Sequence, residues 1–118
     1  MSGTLKKILI IEDFHSFHSE LASLLKDKVL ILSAFTIEEA EKKFDDDANI
    51  DLITVDGCVP GEEINTEPLV RKFRETFKGP MVAACRSPYF RSLLKQAGCD
   101  HECSKNELPK KILQILGL

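Results

Sequence analysis

No apolar run in this chain approaches the ~20 residues a helix needs to cross a bilayer, which excludes a spanning segment of that kind. Basic residues are not in excess. The formal net charge is −3, so the electrostatic footprint that nucleic acid requires is missing. Low-complexity tracts, internal repeats and linkers are absent. Residues 1–118 therefore read as one domain, with nothing left over for a second. No secretory leader is visible, because Met1 to Lys7 is expected to run straight into a strand. A cytoplasmic, reducing location is the expectation. Without secretory context, Cys58, Cys85, Cys99 and Cys103 are not read as disulfides but as small buried thiols. The Cys99-x-His101-x-Cys103 run has the wrong spacing for a zinc knuckle, and on a strand its three side chains share one face.

What the chain does contain is a set of short apolar runs that stop at charge. Residues 7–11 stop at Glu12 and Asp13, residues 50–55 stop at Asp56, and the weaker run 100–104 stops at Lys105. Runs of this length read as buried strands of a parallel sheet, and such sheets bind ligands at the carboxyl ends of their strands. Carboxylates at two strand ends and an ammonium at a third then converge on one site. Three carboxylates packed together repel unless a cation joins them, and hard oxygen donors suit magnesium or calcium. A lysine beside them suits an anion arriving on that metal, with phosphate the first expectation.

Helical signals alternate with the strands. Phe14, Phe17, Leu21 and Leu24 recur at steps of three and four after the first strand. A second strand over 29–32 is followed by a capping box, Thr36 with Glu39, and a stripe of Ile37, Ala40 and Phe44. Asp45 to Asp47 reads as a solvated turn. The loop 57–61 contains Pro60 and Gly61, and Thr66-Glu67-Pro68 opens a third helix lined by Leu69, Phe73 and Phe77. A fourth strand covers 81–85. Ser87-Pro88 opens a fourth helix with Phe90, Leu93, Leu94 and Ala97 inward, closed by Gly98. Asn106 is expected to cap a last helix carrying Pro109, Leu108, Ile112, Ile115 and Leu116. Five strands in strict alternation with five helices require an α/β architecture, a doubly wound parallel sheet with helices on both faces.

With these residues placed, the chain resembles a single-domain receiver of two-component response regulators, of the chemotaxis-regulator type. The resemblance rests on Glu12-Asp13 after the first strand, Asp56 after the third with Pro60 four residues on, Lys105 after the fifth, and Ala97-Gly98 before it. It implies the flavodoxin-like (βα)5 strand order 2-1-3-4-5. It also implies that Asp56 accepts a phosphoryl group from a histidine kinase or histidine phosphotransfer domain. Mg2+ would be held by Glu12, Asp13, Asp56 and the backbone carbonyl of Cys58, and Lys105 would pair with a phosphoryl oxygen. The signal would leave through surface contacts of the fourth and fifth helices with an unidentified downstream protein. Tyr89, Phe90, Arg91 and Lys95 are the candidates there, with Phe90 read chiefly as core.

Four positions depart from the family pattern. Cys85 stands where a hydroxyl normally meets the phosphoryl group, and a thiol is a weaker donor. Arg86 follows where a small residue is usual; it crowds the pocket, binds the phosphoryl oxygens or points to solvent. Glu102 replaces the aromatic switch residue of the fifth strand, and Asn106 replaces the proline after the lysine. These changes spare the metal and nucleophile and weaken the read-out toward the fourth helix. The competing reading is a pseudo-receiver, an interaction module that no longer depends on phosphorylation. A phosphatase on the same fold would need an Asp-x-Asp pattern that Glu12-Asp13-Phe14-His15 does not supply. A flavodoxin would need a hydroxyl-rich loop in place of these acids. His15 and His18 resemble part of a cobalamin-binding motif whose glycines are absent, and are read as surface residues at the site mouth.

Overall fold

A computed structural model of the chain describes residues 5–59 and 63–118. Pro60 and Gly61 lie outside the described residues. Five strands, β1 (Lys6–Ile11), β2 (Val29–Ala34), β3 (Leu52–Val55), β4 (Met81–Ala84) and β5 (His101–Cys103), pair in parallel in the order β2-β1-β3-β4-β5. Between and after them run α1 (His15–Leu24), α2 (Ile37–Asp46), α3 (Glu67–Arg74), α4 (Pro88–Ala97) and α5 (Leu108–Leu116). This is the flavodoxin-like α/β fold. No helix of the described residues is long and apolar enough to cross a membrane.

The apolar runs are strands because both faces of each are covered. Leu9, Ile11, Ile53, Val55, Met81 and Ala83 pack under α2, α3 and α4 against Ala40, Leu69, Val70, Phe73, Leu94 and Ala97. Their sequence neighbours Ile8, Ile10, Leu52, Val82 and Ala84 face the other way, against Leu21 and Leu25 before β2 and Leu108 and Ile112 of α5. Alternation along the strand thus divides one apolar run between two layers. Cys99 lies before β5 in the first layer and Cys103 lies in the second. The expected common face of 99, 101 and 103 is therefore corrected: Cys99 precedes the strand, so strand parity does not extend to it.

Register aligns the strand ends. Ile11 lies opposite Val55, Val55 opposite Ala83, and Ala84 opposite Cys103. Glu12, Asp13, Asp56, Cys85 and Lys105 therefore leave the sheet along a single edge.

Three local expectations are corrected. In α1, Phe14 and Leu24 are exposed, whereas His18, Leu21 and Leu25 are buried. Phe14 is the extended residue before the helix, so it does not share the helical period. His18, expected at the surface, is 5% exposed. Its Nε2 donates to the carbonyl of Glu12 at 2.7 Å, which leaves Nδ1 to accept from the Ser33 hydroxyl at 2.9 Å. Both ring nitrogens are satisfied, and burial holds the imidazole below its ordinary pKa, in the neutral form. Before α5, Asn106 is not the cap. Ser104 opens a short 3-10 turn over Lys105–Glu107 and completes a capping box with Glu107, which the Asn106 reading overlooked.

Thr36 caps α2 as expected, but Glu39 reaches back one residue further than a capping box requires, to Phe35 rather than Thr36. Thr36 Oγ1 accepts from Glu39 N at 3.1 Å, and Glu39 Oε1 accepts from Phe35 N at 2.7 Å. Ser87 Oγ caps α4 by accepting from Phe90 N at 3.1 Å. Arg74, at the end of α3, ties two turns together. Its Nε donates to Gly98 O at 3.0 Å, Nη1 to Phe77 O and Gly79 O at 2.9 and 2.8 Å, and Nη2 to Asp100 at 2.8 Å. Gly98, with φ 145°, closes α4 directly against Arg74, where a Cβ would lie 3.2 Å from that side chain.

Candidate functional site

The loop after β3 is fixed from below. Thr66 is fully buried, and its hydroxyl reaches the carbonyls of Asp56 at 2.8 Å and Gly57 at 3.1 Å. Asn65 bonds Val59 through both ends of its amide, at 2.8 and 3.0 Å. Thr66 was read from sequence only as a helix opener, and Asn65 was not singled out. A polar pair just before a proline-containing first turn was the available signal. Phe90 closes the loop from above: a Cβ on Gly57 would lie 3.1 Å from its ring, so this position admits no side chain without moving Phe90.

Onto this frame the strand ends bring Glu12, Asp13 and Asp56, each with a carboxylate oxygen within 4.8 Å of the others. Asp56 Oδ1 accepts from Gly57 N at 2.8 Å, while Oδ2 lies 3.6 Å from Lys105 Nζ. Lys105 sits closer still to Glu12 Oε1, at 2.6 Å. At that distance the ammonium is the charged partner of the buried Glu12 Oε1. The ammonium also stands over the rings of Phe14 and Phe17, 5.0 and 5.6 Å from their centres. Two acids and two aromatic faces thus hold it at the pocket floor.

Burial makes Glu12 and Asp56 reluctant to ionise together. The Glu12 carboxyl is pushed up to about 7, chiefly by burial, with the Asp56 charge adding to the rise and Lys105 opposing it. Asp56 is raised by burial and by Asp13, against the pull of Lys105 and the Gly57 N–H. Burial lowers Lys105, but contact with Glu12 and the charge of Asp56 outweigh it and hold the ammonium charged.

A divalent cation fits this donor set. The donors are hard carboxylate oxygens, and the mutual repulsion of three acids against a single ammonium favours a cation.

A prediction follows from the sign of the Glu12 shift. Between pH 4.5 and 7 the folded state keeps a proton that the unfolded chain has lost, so stability falls as pH rises through that window. In chelator, urea denaturation of the wild type should lose about 1–3 kcal/mol over this range relative to Glu12→Gln. Magnesium should restore the loss at neutral pH in the wild type only. Equal pH slopes in the two proteins would refute the assignment.

Asp56, Asp13, Cys58, Cys85, Arg86, Ser87, Phe90 and Lys105 line one shallow pocket of about 320 Å³. Cys85 is buried there, and burial together with the Asp56 charge keeps its thiol protonated. The thiol is a weak donor to Ser87 O at 3.7 Å. Glu102 is part of an exposed ion cluster, 3.2 Å from Arg91 Nε and 3.7 Å from Lys95 Nζ. Arg91 also donates to the carbonyls of Cys85 at 2.7 Å and Arg86 at 3.3 Å, and so bridges β5 to the pocket loop. From sequence Arg91 was read only as a surface candidate; its position four residues after the Ser87 cap was the signal.

No family model and no curated protein sequence matches the chain. Solved structures do. A two-component response regulator from Clostridium difficile superposes with a TM-score of 0.80 at 24% identity, over 95% of this chain and 96% of that one. The BeF3-activated N-terminal receiver domain of Klebsiella pneumoniae RstA gives 0.78 at 23%, over 95% and 96%. The complex of the CheA3 P1 domain with CheY6 from R. sphaeroides gives 0.77 at 18%, over 98% and 100%. The chain has the fold of response-regulator receiver domains along nearly its whole length.

Proposed function

We propose that the chain is a phosphorelay receiver whose phosphoacceptor is Asp56. The observation that carries this reading is the meeting of Glu12, Asp13, Asp56 and Lys105 at one edge of a receiver-type sheet. Asp56 Oδ2 attacks the phosphorus of a phosphohistidine. A P–O bond forms, the P–N bond breaks, and its electron pair returns to the imidazole, which takes up a proton. Asp56 Oδ1 stays on the Gly57 N–H, which fixes the carboxylate plane for this attack. Glu12, Asp13, Asp56 and the Cys58 carbonyl would hold Mg2+, which neutralises charge on the transferring group. Lys105 would exchange its contact with Glu12 for a phosphoryl oxygen. Catalysis is then positioning and charge neutralisation. A histidine kinase or a histidine phosphotransfer domain is the donor class, and a protein bound at the α4–β5–α5 face is the recipient of the signal.

The test is intact-mass spectrometry after incubation with acetyl phosphate. A single phosphoryl adduct that requires magnesium supports the reading. Absence of an adduct both with acetyl phosphate and with a phosphohistidine donor overturns it. A second reading, the pseudo-receiver, is favoured by two observations: Cys85 is a weak donor that meets Ser87 O, and Glu102 is held in an ion cluster. It expects that outcome together with no magnesium binding.

A further inference from the structure

We propose that Arg86 is a second anion-binding residue of the Asp56 pocket, oriented by Arg91, and that it serves an incoming phosphoryl oxyanion where Cys85 does not. This rests on the receiver reading. Three acids and Lys105 leave the pocket with two net negative charges. A bound divalent cation brings that to zero, so a dianionic phosphoryl group meets a neutral site with one committed ammonium. The position that would donate from β4 carries a thiol, a weak donor that meets Ser87 O. The pocket therefore takes no strong donor from the end of β4.

Arg86 supplies one. It lines the pocket with Asp56 and Lys105, is exposed, and also borders the adjoining groove along Phe14, Phe17 and Ser104. Among the described residues its guanidinium has no ion-pair partner, in contrast to Lys105, Arg91 and Lys95. The backbone that carries it is held. Arg91 Nη1 reaches the carbonyls of both Cys85 and Arg86, and Arg91 Nε is braced on Glu102. An unpaired guanidinium on a fixed backbone beside a charge-neutralised carboxylate pocket suits a tetrahedral oxyanion, which it can meet with two parallel N–H donors.

The test is the affinity for beryllofluoride, a phosphoryl mimic, in saturating magnesium, with magnesium affinity measured separately. Arg86→Ala should weaken beryllofluoride binding about ten- to a hundredfold, the loss expected for a charge-assisted contact. Magnesium affinity should not fall. Arg86→Lys should recover part of the loss, and Arg91→Ala should weaken binding several-fold with Arg86 intact. Wild-type affinity in Arg86→Ala would overturn this proposal and leave the receiver reading standing. Wild-type affinity in Arg91→Ala would overturn the orienting role. A wild type that binds magnesium but no beryllofluoride would overturn both readings.

Discussion

Asp56→Ala is expected to abolish the magnesium-dependent phosphoryl adduct, with no residual mass shift where the wild type is modified. The reason is geometric. Glu12 is 2% exposed and committed to Lys105, so it cannot meet a donor. Asp56 presents Oδ2 to the pocket with Lys105 3.6 Å away, while Oδ1 is fixed by Gly57. Asp13 also lines the pocket. An adduct that survives in Asp56→Ala and disappears in Asp13→Ala would move the nucleophile there. The isosteric change Asp56→Asn carries a second expectation. Burial and Asp13 raise the Asp56 pKa, so its carboxylate weighs against folding at neutral pH. In chelator, Asp56→Asn should therefore be more stable than the wild type by about 1 kcal/mol, an excess that magnesium removes. Activity and apo stability oppose each other at this one residue.

Arg74→Ala is expected to destabilise the fold by about 3–5 kcal/mol, and Arg74→Lys by most of that amount, read from urea midpoints. Arg74 donates to Phe77 O, Gly79 O, Gly98 O and Asp100, which belong to the turn before β4 and the turn before β5. Alanine leaves these carbonyls without their donor. Lysine restores the charge but not the planar fork that spans both turns. A loss below about 1 kcal/mol would mean that water replaces the guanidinium without penalty. Magnesium affinity should hold in the folded fraction, because neither turn touches the acids.

The limits of the sequence reading lie where polarity and burial part company. Apolar runs ending in charge located the strands and the strand-end acids, because strand period and residue type agree there. His18 was assigned to the surface because imidazole is polar; its burial depends on Ser33 and the Glu12 carbonyl, partners that only the folded chain supplies. Phe14 was assigned to the helix stripe because it is apolar, yet its ring lies outside the helix under the Lys105 ammonium. Asn106 and Ser104 are both competent caps, and the choice fell to the one that also had Glu107 three residues on. Glu102 was recognised as a departure, but its pairing with Arg91 and Lys95 is a tertiary contact between strand and helix. In each case the local pattern was correct about residue type and silent about the partner.

The four cysteines have a practical consequence. All are free, buried and held protonated by burial, with Cys99 pushed up to about 12 and Cys103 to about 11. A thiol in that state alkylates only when its surroundings open. Each sulfur is then a clock for a different part of the molecule. Cys58 and Cys85 time excursions of the loops around Asp56. Cys99 times separation of α3 and α4 from the sheet, and Cys103 times separation of α5 from its other face. Labelling rates read by mass would rank these openings without any added probe.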